Sequence, residues 1–384
     1  MNETHTQRAR GFVREPPGRG TLTLVWSSLV TVFLCAWTVQ RLNITEAPSS
    51  DFKILRRKLF WMLITLLAPE YTAMIAFDQW RCARDVAPFH RRGLHWWKPL
   101  HGFYADMGGI HVKLNMDPRF RVSKTGTIVE MKDGTHYVLR SRDLLRMLEE
   151  KVLDLPEITE ESIYDRSKAD IFAKIITGLQ ALWFTIEKLA RLAKHLPLSL
   201  LEITTLAFIA CSVVLTFFWW NKPLDIQTPT VLSISAEKEA SFIRVYPDLV
   251  FEVNEQDLAE KLTLKDFWYD LNKRQKYSAK HALWIGTIFN AIHIAGWNAD
   301  FPTPTERLMW RICSICASGS LVAFCVALFL PNEDLRLAIA YGLLAPVYCV
   351  CRLFLVVESL IELRSLPIKV YSEIPWEEFI PHIS

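Results

Sequence analysis

The sequence lacks an excess of charge of either sign. Its 44 Lys and Arg stand against 41 Asp and Glu, leaving a net charge of +3 over 384 residues. That balance carries no electrostatic footprint for nucleic acid. Low hydrophobicity combined with high net charge is also missing, which excludes a disordered chain. Glycine is sparse at 14 and cysteine at 8, too few for a collagen-like chain or a small disulfide scaffold. No internal repeat, heptad run or low-complexity tract is visible. Nothing matches a phosphate-binding Walker loop, a dinucleotide fingerprint, a GxSxG elbow or an HExxH zinc helix. No cofactor or metal is expected.

Apolar residues are abundant: 51% of the chain is hydrophobic and 12% aromatic, against 22% charged. The mean hydropathy of +0.15 averages two populations. Six apolar runs read as membrane spans: Thr21–Gln40, Leu59–Phe77, Ile203–Trp220, Ala282–Trp297, Ile312–Leu330 and Leu337–Val357. A hydrocarbon core of ~30 Å takes about 17–25 mostly apolar helical residues. A seventh, Asp170–Ala190, carries Lys174 and Glu187 and fits either a span or an amphipathic helix at the surface. The first run follows Arg8, Arg10, Arg14 and Arg19. It is full length with no small-residue cleavage site close behind, so it reads as a retained anchor rather than a signal peptide. Seven of the eight cysteines fall in these runs and only Cys82 outside, consistent with Cys as a small buried hydrophobe.

The expected fold is an all-α polytopic membrane protein. It has six or seven transmembrane helices and a small mixed α/β loop region outside the bilayer. Its parts are a disordered segment (1–20), two transmembrane helices (21–80), a first extramembrane region with a short hairpin (81–169), a third, doubtful, and a fourth helix (170–220), a second extramembrane loop (221–281), three last helices (282–364) and a tail (365–384). The hairpin is read from Thr127–Leu139 around Asp133-Gly134, a turn dipeptide. Ser141 and Thr159 stand where they would cap helices. A further helix is expected over Asp257–Lys276. The two long loops would lie on one face if Asp170–Ala190 crosses. Asn43-Ile44-Thr45 matches a glycosylation sequon by chance, being too close to the first span. The basic residues leave the orientation balanced, with a lean toward an outside N-terminus.

Ionisable residues inside spans are functional candidates because they are costly there. Glu70 follows Pro69, and Asp78 lies eight residues on. About 800° of helical rotation brings the two within ~80° of each other. They are candidates for proton donor and acceptor, against the alternative that Glu70 pairs with a base on another helix and Asp78 sits at the interface. His293 shares a helix face with Asn290 and Trp297, read as a ligand-binding set or as a hydrogen-bonding group between helices. Arg352 lies in the last run, and Glu358 and Glu362 follow on one face. The loop Trp96–Gly109 is the densest polar cluster. It supplies His101 and Asp106 as catalytic candidates, against the reading of an interfacial loop anchored by Trp and Tyr.

Several stretches resemble a large family of fungal multi-pass membrane proteins. They are Gly18–Leu42, Arg57–Met62, Ala68-Pro69-Glu70, His101–Gly109 (HGFYADMGG), Ile158–Asp170, Lys222–Asp225 (KPLD), Ala295–Thr303 and Ile380–His382. The resemblance spans nearly the whole chain and implies a fungal source. It carries no established activity, so it assigns no catalytic residue. The leading expectation is an enzyme or accessory component, located in the bilayer, that handles a lipophilic small molecule in a fungal secondary-metabolite pathway alongside other pathway enzymes. The alternatives are a seven-helix sensor or proton-coupled transporter, or a non-catalytic membrane scaffold.

Overall fold

A computed structural model describes residues 8–15, 19–44, 51–114, 120–121, 128–131, 134–165, 170–224, 226, 228–234, 238, 251–252, 286–327, 329–330, 332, 335 and 338–374. The architecture is mostly helical with small sheets. Among the described residues, four helices are long and apolar enough to cross a membrane, or five if one bent pair counts as a span.

The bundle begins with α1 (Thr21–Thr38), which carries no charge. Its inward face is Leu24, Ser28, Thr31 and Cys35, at helical spacing, while Trp26, Leu29 and Phe33 face out. The expected second span, Leu59–Phe77, is not one helix. It divides into α2 (Asp51–Leu67) and α3 (Pro69–Ala83), bent by 111°. The cause is local. Proline disfavours helical backbone in the residue before it, and Ala68 sits at φ −139°, ψ 68°.

The doubtful segment forms α8 (Asp170–Ala193), antiparallel to α1. Gln180 donates to Thr31 at 3.0 Å, and Glu187 meets Arg19 at 3.2 Å. Ile175, Leu179, Leu182 and Ile186 point away from the bundle. α9 (Leu200–Phe218) is the central helix, with more of its length buried than any other candidate span. Ser199 and Glu202 close its start by reciprocal bonds: Glu202 N–H donates to Ser199 Oγ at 3.3 Å, and Ser199 N–H donates to Glu202 Oε2 at 3.0 Å. This is a capping box. Residues 286–295 form α10; the start of the expected run Ala282–Trp297 lies outside the described residues. α11 (Pro304–Ala327) and α12 (Ala345–Ile361) complete the bundle, the latter entered through a π-helical stretch at Ala338–Leu344.

At one end of the bundle, β1 (Arg8–Arg10) pairs antiparallel with β8 (Ser365–Pro367), bringing the two terminal stretches together. At the other end sits the cap. Its sheet orders β4 (Ile128–Met131), β5 (Gly134–Leu139), β2 (Ile110–Leu114) and β6 (Thr230–Ser233). β4 and β5 form the hairpin read around Asp133-Gly134. β6 comes from the second long loop and pairs in parallel with β2, Ile110 against Thr230, so both loops build one sheet. A separate ladder pairs β3 (Phe120–Arg121) with β7 (Phe251–Glu252). The expected helix over Asp257–Lys276 lies outside the described residues.

The cap core stacks Phe89 on Trp97 at 4.1 Å between ring centroids. Helix α5 (Pro99–Asp106) docks on α3, and α6 (Ser141–Glu149) and α7 (Glu160–Tyr164) flank it. Thr159 caps α7 as expected, its hydroxyl accepting from Ser162 N–H at 3.3 Å. Ser141 does not cap α6: it is the first helical residue, and its N–H donates to Asp106 Oδ1 at 3.0 Å.

Candidate functional site

Three buried polar networks hold the chain together. Their difference lies in which groups find partners.

The first sits at the terminal end. Arg19 and Lys188 both reach Glu202 Oε1, at 2.5 and 2.8 Å, and Glu202 Oε2 accepts from the Ser199 hydroxyl at 3.0 Å. Arg191 donates to the backbone carbonyls of Ser372 at 2.7 Å and Val370 at 2.8 Å. Glu362 accepts from Leu200 N–H at 2.7 Å. Buried charge is tolerated here because it is paired and hydrogen-bonded.

The second joins cap and bundle. Lys222 donates from Nζ to Arg41 O at 2.7 Å, Gln79 Oε1 at 2.9 Å and Asn43 Oδ1 at 3.1 Å. Arg41 in return donates to Lys222 O, and the Trp219 ring lies 5.0 Å below the ammonium. Burial, with Arg41 and Arg57 nearby, pushes the Lys222 ammonium down to about 7.

The third lies inside the bundle. The break at Ala68 starts α3 in the interior, so Glu70, in its first turn, is only 3% exposed. Helix α10 passes close by: a Cβ on Gly286 would lie 3.4 Å from Glu70 Cβ. The same helix brings His293, and α12 brings Arg352; both are fully buried. His293 Nδ1 lies 3.0 Å from Phe289 O. A carbonyl only accepts, so Nδ1 carries the proton. Nε2 then has a lone pair, which accepts from Arg352 Nη1 at 3.2 Å. The ring is a neutral imidazole that orients the guanidinium. Phe289 covers one guanidinium face at 4.3 Å, a cation–π contact.

Arg19 Nε and Arg191 Nε of the first network also lack partners, but here a whole carboxylate does. Neither carboxylate oxygen of Glu70 has a hydrogen-bond partner, nor do Arg352 Nε and Nη2, Asn290 Oδ1 and the Tyr348 hydroxyl. Glu70 and Arg352 attract each other electrostatically without a direct bond. Unpaired buried polar groups are costly. Glu70 and Arg352 together make an arrangement able to grip a polar group.

The other sequence-derived candidates are placed differently. Asp78 is about 12 Å along α3 from Glu70, at 1.5 Å per residue, and pairs with Arg81 at 3.1 Å. His101 is buried with both nitrogens occupied. Nδ1 accepts from Lys98 N–H at 2.9 Å and Nε2 donates to Ile158 O at 2.8 Å, and burial pushes its pKa down. Asp106 ties α5 to α6 through Ser141. Trp297 leaves the face of His293: it lies in a 3-10 turn, its carbonyl accepting from Arg311. So Glu70, Asn290 and His293 come together, while Asp78, His101, Asp106 and Trp297 stand apart. Arg352 is the member that sequence reasoning left out of the site, although a lone arginine in an apolar run was its signal. Among the described residues, no cluster of His, Cys, Asp or Glu could hold a metal ion.

Long apolar helices around a buried polar cluster define a candidate multi-pass membrane protein. The chain belongs to a family of unknown function, DUF8562, whose model matches residues 2–257. No curated protein and no solved structure matches it.

Proposed function

We propose that this is an integral membrane protein whose interior cluster of Glu70, Asn290, His293 and Arg352 receives the polar end of a lipophilic small molecule. The reading gives six crossings, α1, α8, α9, α10, α11 and α12, with α2 and α3 as a re-entrant pair. Four observations support this count. The residues before α2 are tied to the cap by Ile44 N–H on Met107 O. α3 runs into the same cap, where Ala83 touches Gly102. The shared sheet requires α8 and α9 to leave and return, and the β1–β8 pairing requires an even number of crossings.

The observation that carries the function is the set of unpartnered atoms on Glu70 and Arg352. Nε and Nη2 form one edge of the guanidinium fork, a geometry suited to two-point recognition of an oxygen-bearing group. Glu70 beside it supplies a proton donor or acceptor. In the lipophilic setting of the bundle this suits an enzyme or accessory component in a fungal biosynthetic pathway. The test is the metabolite profile of a producing strain carrying Glu70→Gln: loss of a product is expected, and an unchanged profile contradicts the proposal.

A second reading is proton-coupled transport. The helix break at Ala68 favours it, because discontinuous helices that end within a bundle are a feature of transporter binding sites. A pH-dependent flux in vesicles, lost in His293→Ala, distinguishes it.

A further inference from the structure

Helix α2 carries Lys53, Arg56, Arg57 and Lys58 within six positions, on a helix that the bundle only partly covers. Its residues sort into three faces at about 100° per residue. Ile54, Trp61 and Thr65 turn toward the protein; Thr65 is buried and accepts from Gln40 Nε2 at 2.8 Å. Phe52, Leu55, Leu59 and Leu63 form a second face and are exposed apolar side chains. Lys53 and Arg56 are exposed between them, with Phe60, while Arg57 is half-buried and lies near the Lys222 ammonium. Lys58 points back to the Trp37 ring of α1, 5.8 Å away.

The 111° bend turns α2 across the direction of α3. If α3 stands along the bundle axis, α2 lies about 20° from the membrane plane, at the level where α1 ends. A helix so placed puts its apolar face into acyl chains and its basic face among headgroups.

We propose that α2 is an in-plane helix whose exposed Lys53 and Arg56 bind the headgroups of anionic phospholipids in the leaflet next to the cap. The choice of an anionic lipid rests on charge complementarity. The helix carries four cations against one acidic residue, Asp51, and clustered Lys and Arg beside a span attract anionic lipid. The site does not depend on the interior cluster. It does lead directly into the break at Ala68, so a lipid held on α2 would steady the helix that delivers Glu70.

The full-length protein is reconstituted in phosphatidylcholine vesicles with and without phosphatidylserine, and thermal unfolding is followed. The expected result is an upward shift of Tm with phosphatidylserine that shrinks as salt is raised, because surface charges are screened. The shift is lost in K53Q/R56Q and retained in R91Q/R142Q, which removes exposed cap charges instead. An equal shift in the α2 variant and wild type, or no shift on adding phosphatidylserine, overturns the proposal. Should the double variant fail to fold, the wild-type salt dependence and K53Q alone decide in the same way.

Discussion

His293 Nε2 accepts a hydrogen bond from Arg352 Nη1 at 3.2 Å, joining α10 to α12 at the centre of the bundle. The bond fixes one edge of the guanidinium and leaves the other free. Arg352→Met removes the counter-charge of Glu70 and is expected to destabilise the protein by about 3 kcal/mol, the scale of a broken buried charge interaction. Adding Glu70→Gln removes the stranded carboxylate and is expected to restore part of that loss. A double-mutant cycle by thermal unfolding checks this. Strictly additive effects would mean that the two residues do not act as a unit.

Lys222 gives the cap joint a pH dependence. Its folded-state pKa, about 7, lies below the ordinary lysine value of 10.5. Between those values the unfolded chain binds more protons, so stability rises with pH across this window, by up to about 1.4 kcal/mol per pH unit. Below pH 7 both states are protonated and the penalty is fully present. Tm measured from pH 7 to 10 is expected to climb in wild type, with a smaller slope in Lys222→Met. That variant is also less stable, because it strands the acceptors on Arg41 and Asn43, whereas Gln79 Oε1 keeps its bond from Trp219.

Gly102 is a point of close approach between the cap and the bundle. A Cβ there would fall 2.8 Å from both the Cα and the carbonyl oxygen of Ala83, backbone atoms of α3 that cannot swing aside. Gly102→Ala is expected to cost about 1–3 kcal/mol, as overpacking does. Limited proteolysis should show the cap loosening from α3. Unchanged protection and Tm would place the contact elsewhere.

The re-entrant pair makes a topological prediction. With the exposed cysteines replaced by alanine, single cysteines at Phe52 and Arg84 should react with an impermeant thiol reagent from the same side of sealed vesicles. Labels at the two terminal stretches should react from the other side. Reaction of Phe52→Cys and Arg84→Cys from opposite sides would make the pair a full span.

Much of this fold was legible in the sequence. Four of the apolar runs correspond to α1, α9, α11 and α12 because about twenty mostly apolar residues have few alternatives to a helix in lipid. The hairpin at Asp133-Gly134 and the Thr159 cap were readable because their chemistry is local. The division of Leu59–Phe77 was half-visible: Pro69 signalled a kink, but hydropathy cannot distinguish a kinked span from one that turns back. α8 was ambiguous because Lys174 and Glu187 interrupt its apolar run, and the partner that Glu187 meets, Arg19, is invisible in one dimension. In the site, Glu70, Asn290 and His293 could be picked out because polar residues stand out in apolar runs. Arg352 could not be joined to them, since α10 and α12 meet only through tertiary packing. His101 and Asp106 had catalytic side chains, but their bonds to Lys98, Ile158 and Ser141 are invisible in one dimension.

The central claim is that Glu70 and Arg352 hold the polar end of a lipophilic molecule. The direct measurement is mass spectrometry of small molecules extracted from purified wild-type protein and from the Arg352→Met/Glu70→Gln double variant, each expressed in a producing strain and shown to be folded. The account predicts a lipophilic compound with an oxygen-bearing polar end that accompanies wild type and is depleted in the variant. The same compounds in equal amounts from both proteins would contradict it.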